Sequence, residues 1–138
     1  MGTRADFYMG RGEAMEWLGS VAFDGYPDGI DKQVLGCESP EAFRHAVAAF
    51  LASREDKTLP EQGWPWPWKT SSTTDFAYAF DEGAVHASGF GGPWFDPQRE
   101  RFDGDDVGKK AVFPDMSRAK QREKFGPHSG ITVMGVPK

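Results

Sequence analysis

The sequence predicts one α+β domain, with a mostly antiparallel sheet of about four to six strands and one main helix packed on one face. Short segments of alternating polar and apolar residues indicate strands, and a single well-capped segment indicates the helix. The chain also contains 17 glycines and 10 prolines, so long stretches should be turns and loops. Its 138 residues fit a single domain that spans 1–138.

The first two strands are predicted at residues 4–9 and 16–23, joined as a hairpin by the sequence Gly10-Arg11-Gly12. A turn-forming run at 24–29 follows the second strand. Because side chains alternate along a strand, we expect one face of the second strand to carry Trp17, Gly19, Val21 and Phe23.

The main helix is predicted near residues 40–54. Ser39 is a favourable N-cap, Pro40 suits the first helical position, and Glu41 complements the positive end of the helix dipole. A narrow apolar stripe at helical spacing is formed by Phe43, Val47, Phe50 and Leu51. This stripe should pack on the sheet.

A second hairpin is predicted from residues 75–80 and 84–90, with a turn at 81–83. One face of its first strand is aromatic, with Phe76, Tyr78 and Phe80. The opposite face has only Ala77 and Ala79, and we expect the helix to approach the sheet on this small face.

The C-terminal part, residues 107–138, is loop-rich and basic. It has 7 Lys/Arg against 2 Asp/Glu, whereas residues 1–106 have 9 against 19. Within it the pattern predicts a short strand at 110–113, a polar helix at 117–124 and a last strand at 130–134. The whole chain is acidic, with a net charge of −5, and this does not favour direct binding to nucleic acid.

A long connection at residues 55–73 contains the sequence Trp64-Pro65-Trp66-Pro67-Trp68, here called the Trp-Pro rod. Each proline fixes its own φ and favours an extended conformation in the residue before it, so the rod should be stiff and not helical. Two roles are open for its indoles. We expect at least two of the three to cap a hydrophobic core, and an indole that does not would form a binding surface.

No pattern for metal or nucleophilic catalysis stands out, so we predict no metal, no cofactor and no catalytic residue. The acidic turns do not match a calcium loop, and the histidines lack zinc-ligand spacing. Cys37 has no signature of a catalytic thiol around it. One cysteine, no long apolar run and no signal-peptide core together predict a cytoplasmic protein that does not enter a membrane.

Four segments together resemble an uncharacterised family of small phage and mobile-element proteins of proteobacteria. They are the opening Gly2-Thr-Arg-Ala-Asp-Phe-Tyr8, then Glu16-Trp-Leu-Gly-Ser20, Asp24-Gly-Tyr-Pro27 and the Trp-Pro rod. The resemblance covers most of the chain and thins after about residue 108. It implies an accessory role in a bacterial host cell, such as the inhibition of host defence that anti-CRISPR proteins perform. It implies no catalytic or ligand-binding residue.

We therefore favour a non-enzymatic accessory protein that binds a host protein or a protein–nucleic-acid complex and inhibits it. The predicted contact residues are Trp64, Trp66, Trp68, Asp24 and Asp28. One alternative is a protein that binds or slowly converts a nucleotide or another small ligand. Its pocket would be formed by Arg4, Tyr8, Arg11, His86 and Trp94. A structural component of a virion is a second alternative.

Overall fold

A computed structural model of the chain describes residues 2–12, 15–98 and 110–116. It has one mixed sheet of five strands and one main helix, so the α+β prediction is confirmed. The strands are β1 (Ala5–Met9), β2 (Glu16–Val21), β3 (Lys57–Thr58), β4 (Phe76–Asp81) and β5 (Ala84–Gly89). The helices are the single turn α1 (Lys32–Leu35) and the main helix α2 (Pro40–Ala52).

The strand order is β3-β2-β1-β4-β5, with β1 in the centre. Three of the four neighbouring pairs are antiparallel, and two of these, β1–β2 and β4–β5, are the predicted hairpins. The fourth pair is parallel: β1 lies beside β4, with Phe7 opposite Tyr78. A parallel pair needs a long connection, and residues 10–75, which include β2 and β3, supply it.

Helix α2 begins where the sequence predicts, because the Ser39 hydroxyl oxygen accepts a hydrogen bond from the backbone N–H of Ala42. The prediction that α2 packs on the alanine face is wrong. The helix lies on the aromatic face, where the ring centroids of Phe43 and Phe80 are 5.6 Å apart and those of Phe7 and Phe50 are 5.8 Å apart. Interdigitated aromatic rings bury more apolar surface than two alanines would.

The alanine face is instead covered by the Trp-Pro rod and by Phe113 and Met116 of segment 110–116. The small side chains Ala77 and Ala79 leave the space that bulky indoles fill. The connection at 55–73 is more ordered than predicted. It includes β3 and two single 3₁₀ turns, Pro60–Gln62 and Ser71–Thr73.

A β-bulge in β2 overturns the predicted alternation. Phe7 lies opposite Gly19, whereas the next residue, Tyr8, lies opposite Trp17, so Leu18 is the extra residue. Trp17 therefore faces the Trp-Pro rod, while Val21 belongs to the core under α2. Gly19 has φ +145°, and a Cβ there would lie 2.5 Å from Cδ1 of Leu51, so the position requires glycine.

The predicted strand at 110–113 is not present, because segment 110–116 has no strand residues. Its Ala111 N–H donates to the carbonyl of Gly91 at 3.1 Å, and its Met116 N–H donates to the carbonyl of Lys69 at 2.6 Å. These two hydrogen bonds hold the segment against the residues that follow the second hairpin and the rod. The segment does not join the sheet. The helix predicted at 117–124, the strand at 130–134 and most of the basic part 107–138 lie outside the described residues.

Candidate functional site

The Trp-Pro rod is fixed to the sheet by the buried carboxylate of Asp6 in β1. Oδ1 of Asp6 accepts hydrogen bonds from Ser20 Oγ at 2.5 Å and from Trp66 Nε1 at 2.7 Å. Oδ2 accepts one from Ser71 Oγ at 2.6 Å. Burial raises the pKa of Asp6, and the hydrogen bonds it accepts lower that pKa in part.

Ser20 and Thr74, which also hydrogen-bonds to Asp6, each accept a further hydrogen bond from an indole. Trp17 Nε1 donates to Ser20 Oγ at 3.0 Å, and Trp68 Nε1 donates to Thr74 Oγ1 at 2.9 Å. An indole N–H can only donate, so these two hydroxyl oxygens act as acceptors toward tryptophan and keep their protons for other partners. The result is a polar network, enclosed by aromatic rings, in which the hydrogen bonds converge on one carboxylate.

The three rod tryptophans predicted as contact residues are not equivalent. Trp64 is 2% exposed, its Nε1 donates to the carbonyl of Trp68, and its ring packs edge-on against Trp17. Trp66 and Trp68 are half-buried and stacked, with ring centroids 5.5 Å apart. All three indoles pack in the hydrophobic cluster on the alanine face of the sheet, and of the three only Trp66 and Trp68 keep part of their surface in solvent.

Arg4 lies beside the stacked pair. Its Cζ is 5.1 Å from the ring centroid of Trp68 and 6.0 Å from that of Trp66, within the range of a cation–π contact. Asp75 accepts from both the backbone N–H and Nε of Arg4, at 2.9 and 3.2 Å. Arg4 is thus held in one orientation at the start of β1.

The residues of the alternative pocket lie at separate places. Arg11 is at the opposite end of β1 from Arg4, where its Nε donates to Asp81 and its Cζ lies 5.9 Å from the ring of Trp94. His86 bonds to the carbonyl of Asp81 at 3.0 Å, at the same end. Tyr8 is buried between the two ends, bonded to Ser71 Oγ. The structure brings Arg11, His86 and Trp94 together but does not bring them to Arg4.

Asp24 and Asp28 belong to a well-anchored turn at residues 23–31, here called the acidic loop. The carbonyl of its Gly25 accepts from the hydroxyl of the buried Tyr78 at 2.7 Å, and the Gly25 N–H donates to Thr3 at 2.8 Å. Burial, together with the charge of Asp28, raises the pKa of Tyr78, so this hydroxyl remains a donor at physiological pH. The loop is therefore fixed to the sheet from below.

A second anchor of the acidic loop comes from Arg54 and Asp56, which follow α2. Asp56 Oδ2 accepts from the backbone N–H of Phe23 at 2.8 Å, and Arg54 Nη2 donates to the Phe23 carbonyl at 2.6 Å. Partial burial disfavours the charged form of Asp56. Hydrogen bonds from Arg54 and from the backbone nevertheless hold the pKa of this carboxyl below its ordinary value. The ionised Asp56–Arg54 pair thus clamps the start of the loop.

The acidic side chains of the loop point into solvent. Asp24, Asp28 and Asp31 are exposed and have no salt bridge to any residue in the described part of the chain. Asp28 and Asp31 also line an open cavity of about 450 Å³ between the loop and residues 97–98. An unpaired carboxylate on a fixed backbone attracts cations, so this surface is suited to a basic partner.

Within the described ranges, little supports a metal site or a reactive thiol. No three His, Cys, Asp or Glu residues among them are grouped to hold a metal ion. Burial raises the pKa of the Cys37 thiol, which makes it a poorer nucleophile. None of the described helices is both long and apolar enough to cross a bilayer.

Sequence reasoning missed Asp6, although an acidic residue in the middle of an apolar strand between Ala5 and Phe7 was a usable signal. Three exposed aromatic side chains were also missed as surface candidates: Phe23, Tyr26 and Phe90. They lie next to Asp-Gly and Gly-Gly turns, where side chains often protrude.

Comparison with protein-family models, with curated proteins and with solved structures found no match.

Proposed function

We propose that this protein acts by binding, without catalysis, and that its partner is a protein with a basic surface. The observation that carries the proposal is the acidic loop, in which exposed and unpaired carboxylates stand on an anchored backbone. Such charges steer a basic partner to the surface and hold it there. A solvent-exposed loop without charged side chains would not attract a basic partner in this way.

The anchoring favours binding because it reduces the entropy that association would otherwise cost. The loop backbone is already fixed by Tyr78, Thr3, Arg54 and Asp56, so a partner does not need to order it. Flexible acidic turns, by contrast, lose conformational freedom when they bind. The anchored backbone therefore suits the acidic loop to recognition better than a flexible solvated turn would be suited.

A protein surface that holds nucleic acid is basic, because it must neutralise phosphate charges. We infer that the partner is a host protein or nucleoprotein complex whose nucleic-acid groove this acidic surface occupies, and that the interaction takes place in the cytoplasm of a bacterial host. The resemblance to small phage and mobile-element proteins supports an accessory role of this kind, as an inhibitor of a host defence complex. Trp66 and Trp68 are the indoles available to extend the contact.

The test is a pull-down of tagged protein from a bacterial lysate, with and without nuclease, read by mass spectrometry. The Asp24→Asn/Asp28→Asn variant removes two loop charges, and asparagine tolerates the positive φ of residue 24. The matched control is Glu41→Gln/Glu61→Gln, which changes the net charge equally at exposed positions outside the loop.

We expect a nuclease-resistant protein that the wild type and the control retain and the Asp24→Asn/Asp28→Asn variant loses. Recovery of the same proteins in equal amounts by all three would overturn the proposal. So would an empty pull-down from a folded wild-type protein.

A further inference from the structure

Four chain segments meet at one end of the sheet. The register places Ala5 of β1 opposite Val21 of β2 and Phe76 of β4, and Phe76 opposite Gly89 of β5. The residues just beyond these positions therefore form a row across four strands: Ala22, Arg4, Asp75 and Phe90. Since strands lie about 4.8 Å apart, the row is about 14 Å wide.

Exposed apolar side chains collect at this end. Among the described residues the exposed large hydrophobic side chains are Phe23 (53%), Tyr26 (42%), Phe90 (65%) and Val112 (51%). Phe23 and Tyr26 follow β2, and Phe90 follows β5 directly. Val112 is next to Ala111, whose N–H donates to the carbonyl of Gly91. We call these four residues the aromatic end.

The backbone holds Phe90 in an unfavourable conformation. Phe90 has φ +51°, a left-handed value that is unfavourable for a bulky residue other than glycine. Its N–H donates to the carbonyl of Asp75 at 3.0 Å, which fixes the turn. Gly91 follows with φ +73°, where a Cβ would lie 2.9 Å from Cβ of Ser72. The fold thus keeps a large ring in water at a local cost.

Acidic groups border the aromatic end on the side of β2. Phe23 and Asp24 share a shallow depression with Glu55, and the ion-paired Arg54 and Asp56 complete its lining. Gly29 of the acidic loop lies against Asp24 and Tyr26. Arg4, in the middle of the row, is paired with Asp75, so its positive charge is offset locally. The surface therefore combines exposed aromatic faces with a net negative rim.

We propose that the aromatic end is the docking surface for the basic partner, and that it selects arginine side chains over lysine. This inference rests on the proposed function and specifies its surface. A guanidinium is planar and weakly hydrated, so it can stack on Phe23 or Tyr26 while it pairs with a carboxylate of the rim, and a second arginine can stack on Phe90. An ammonium group is more strongly hydrated and gains less from the rings.

The probes are fluorescein-labelled hexa-arginine and hexa-lysine peptides, with affinity measured by anisotropy at low and at physiological salt. We expect the wild-type protein to bind hexa-arginine about three- to fivefold more tightly than hexa-lysine. Salt should weaken the binding of both peptides.

The variants Phe23→Ser and Phe90→Asn remove one ring each. Asparagine accepts the positive φ of residue 90, so the second variant should fold at least as well as wild type. Each should reduce the preference for hexa-arginine, because one of the three rings is lost, and leave the affinity for hexa-lysine almost unchanged. The lysine peptide thus serves as the control within each variant.

Failure of this inference is distinguishable from failure of the proposed function. Equal affinity of wild type for the two peptides, or an unchanged preference in both ring variants, overturns the aromatic end as the docking surface. If Asp24→Asn/Asp28→Asn then still weakens the binding of both peptides, the acidic contact stands alone. If that variant also binds like wild type, both proposals are wrong.

Discussion

Trp66 Nε1 donates to Oδ1 of Asp6 at 2.7 Å and so joins the rod to the central strand of the sheet. The two residues are 60 positions apart in the chain. Because the same oxygen also accepts from Ser20 of β2, one buried carboxylate connects two strands and the rod. On the face of the sheet opposite α2, a buried polar group therefore holds the aromatic rings of the rod in place.

Replacement of this carboxylate should strongly destabilise the fold. In Asp6→Ala the buried donors of Ser20, Trp66 and Ser71 lose their acceptor, and we expect the free energy of unfolding to fall by about 2–4 kcal/mol. Urea denaturation, monitored by circular dichroism, measures this free energy. The control, Glu61→Ala, removes an exposed carboxylate and should change stability by less than about 0.5 kcal/mol. Equal values for the two variants would contradict the role of Asp6.

The pH dependence of stability should carry the signature of Asp6. Its folded-state pKa is raised above the ordinary value of 3.8. Between these two values the folded state keeps the proton that the unfolded state releases. The free energy of unfolding therefore falls as pH rises through the raised pKa, by about 1.4 kcal/mol per pH unit within that window, and the extra stability is complete below the ordinary value.

Comparison with Asp6→Ala isolates this contribution. The variant lacks the titrating group, so the stability difference between wild type and variant should shrink as pH rises. The carboxyls of Glu16, which Arg44 bonds, and of Asp56 have lowered pKa values and lose their contribution as pH falls, but they do so in both proteins and cancel. A constant difference, or one that grows with pH, would be inconsistent with a raised pKa for Asp6.

Trp64 and Trp68 should differ in their contribution to stability. Trp64→Ala removes a 2% exposed ring and should cost about 3–5 kcal/mol. Trp68→Ala removes a half-buried ring and should cost about 1–2 kcal/mol. Denaturation followed by circular dichroism compares them without reliance on indole fluorescence. A cost for Trp64→Ala no greater than that for Trp68→Ala would show that the rod does not close the core.

Tyr78→Phe should link stability to recognition. It removes the hydrogen bond to Gly25, at a cost of about 1 kcal/mol, and releases the acidic loop from its anchor. We expect weaker binding of the hexa-arginine peptide. Tyr8→Phe is a matched control, because it removes one buried hydroxyl hydrogen bond, to Ser71, away from the loop. Equal peptide affinities for the two variants would mean that the anchor does not contribute to recognition.

The sequence predicts those elements that depend on local chemistry. Ser39 and Pro40 define the start of α2, and the glycine turns define both hairpins, since capping and turn preferences act over a few residues. The bulge at Leu18 was not predictable, because it depends on how Gly19 meets Leu51 of α2. The side of the sheet that α2 covers depends on the volumes of both layers, which no local pattern reports.

The candidate site was also predicted only in part, because some of its features follow from local composition and others from contacts between distant residues. Asp24 and Asp28 lie in exposed turn sequences, and exposure there follows from composition. Trp64 and Trp66 each precede a proline, and this local pattern could not distinguish the buried indole from the half-buried one. The difference comes from Trp17 and Asp6, more than 40 residues away.

The parallel pair of β1 and β4 has a consequence for biosynthesis. The hairpin of β1 and β2 can form soon after it leaves the ribosome, but the other edge of β1 stays open until Phe76–Asp81 has been made. During that interval an apolar strand edge and its buried acid are unprotected, which is the condition under which nascent chains aggregate or recruit chaperones. Translation pauses before residue 81 should therefore lower the yield of soluble protein more than pauses after it.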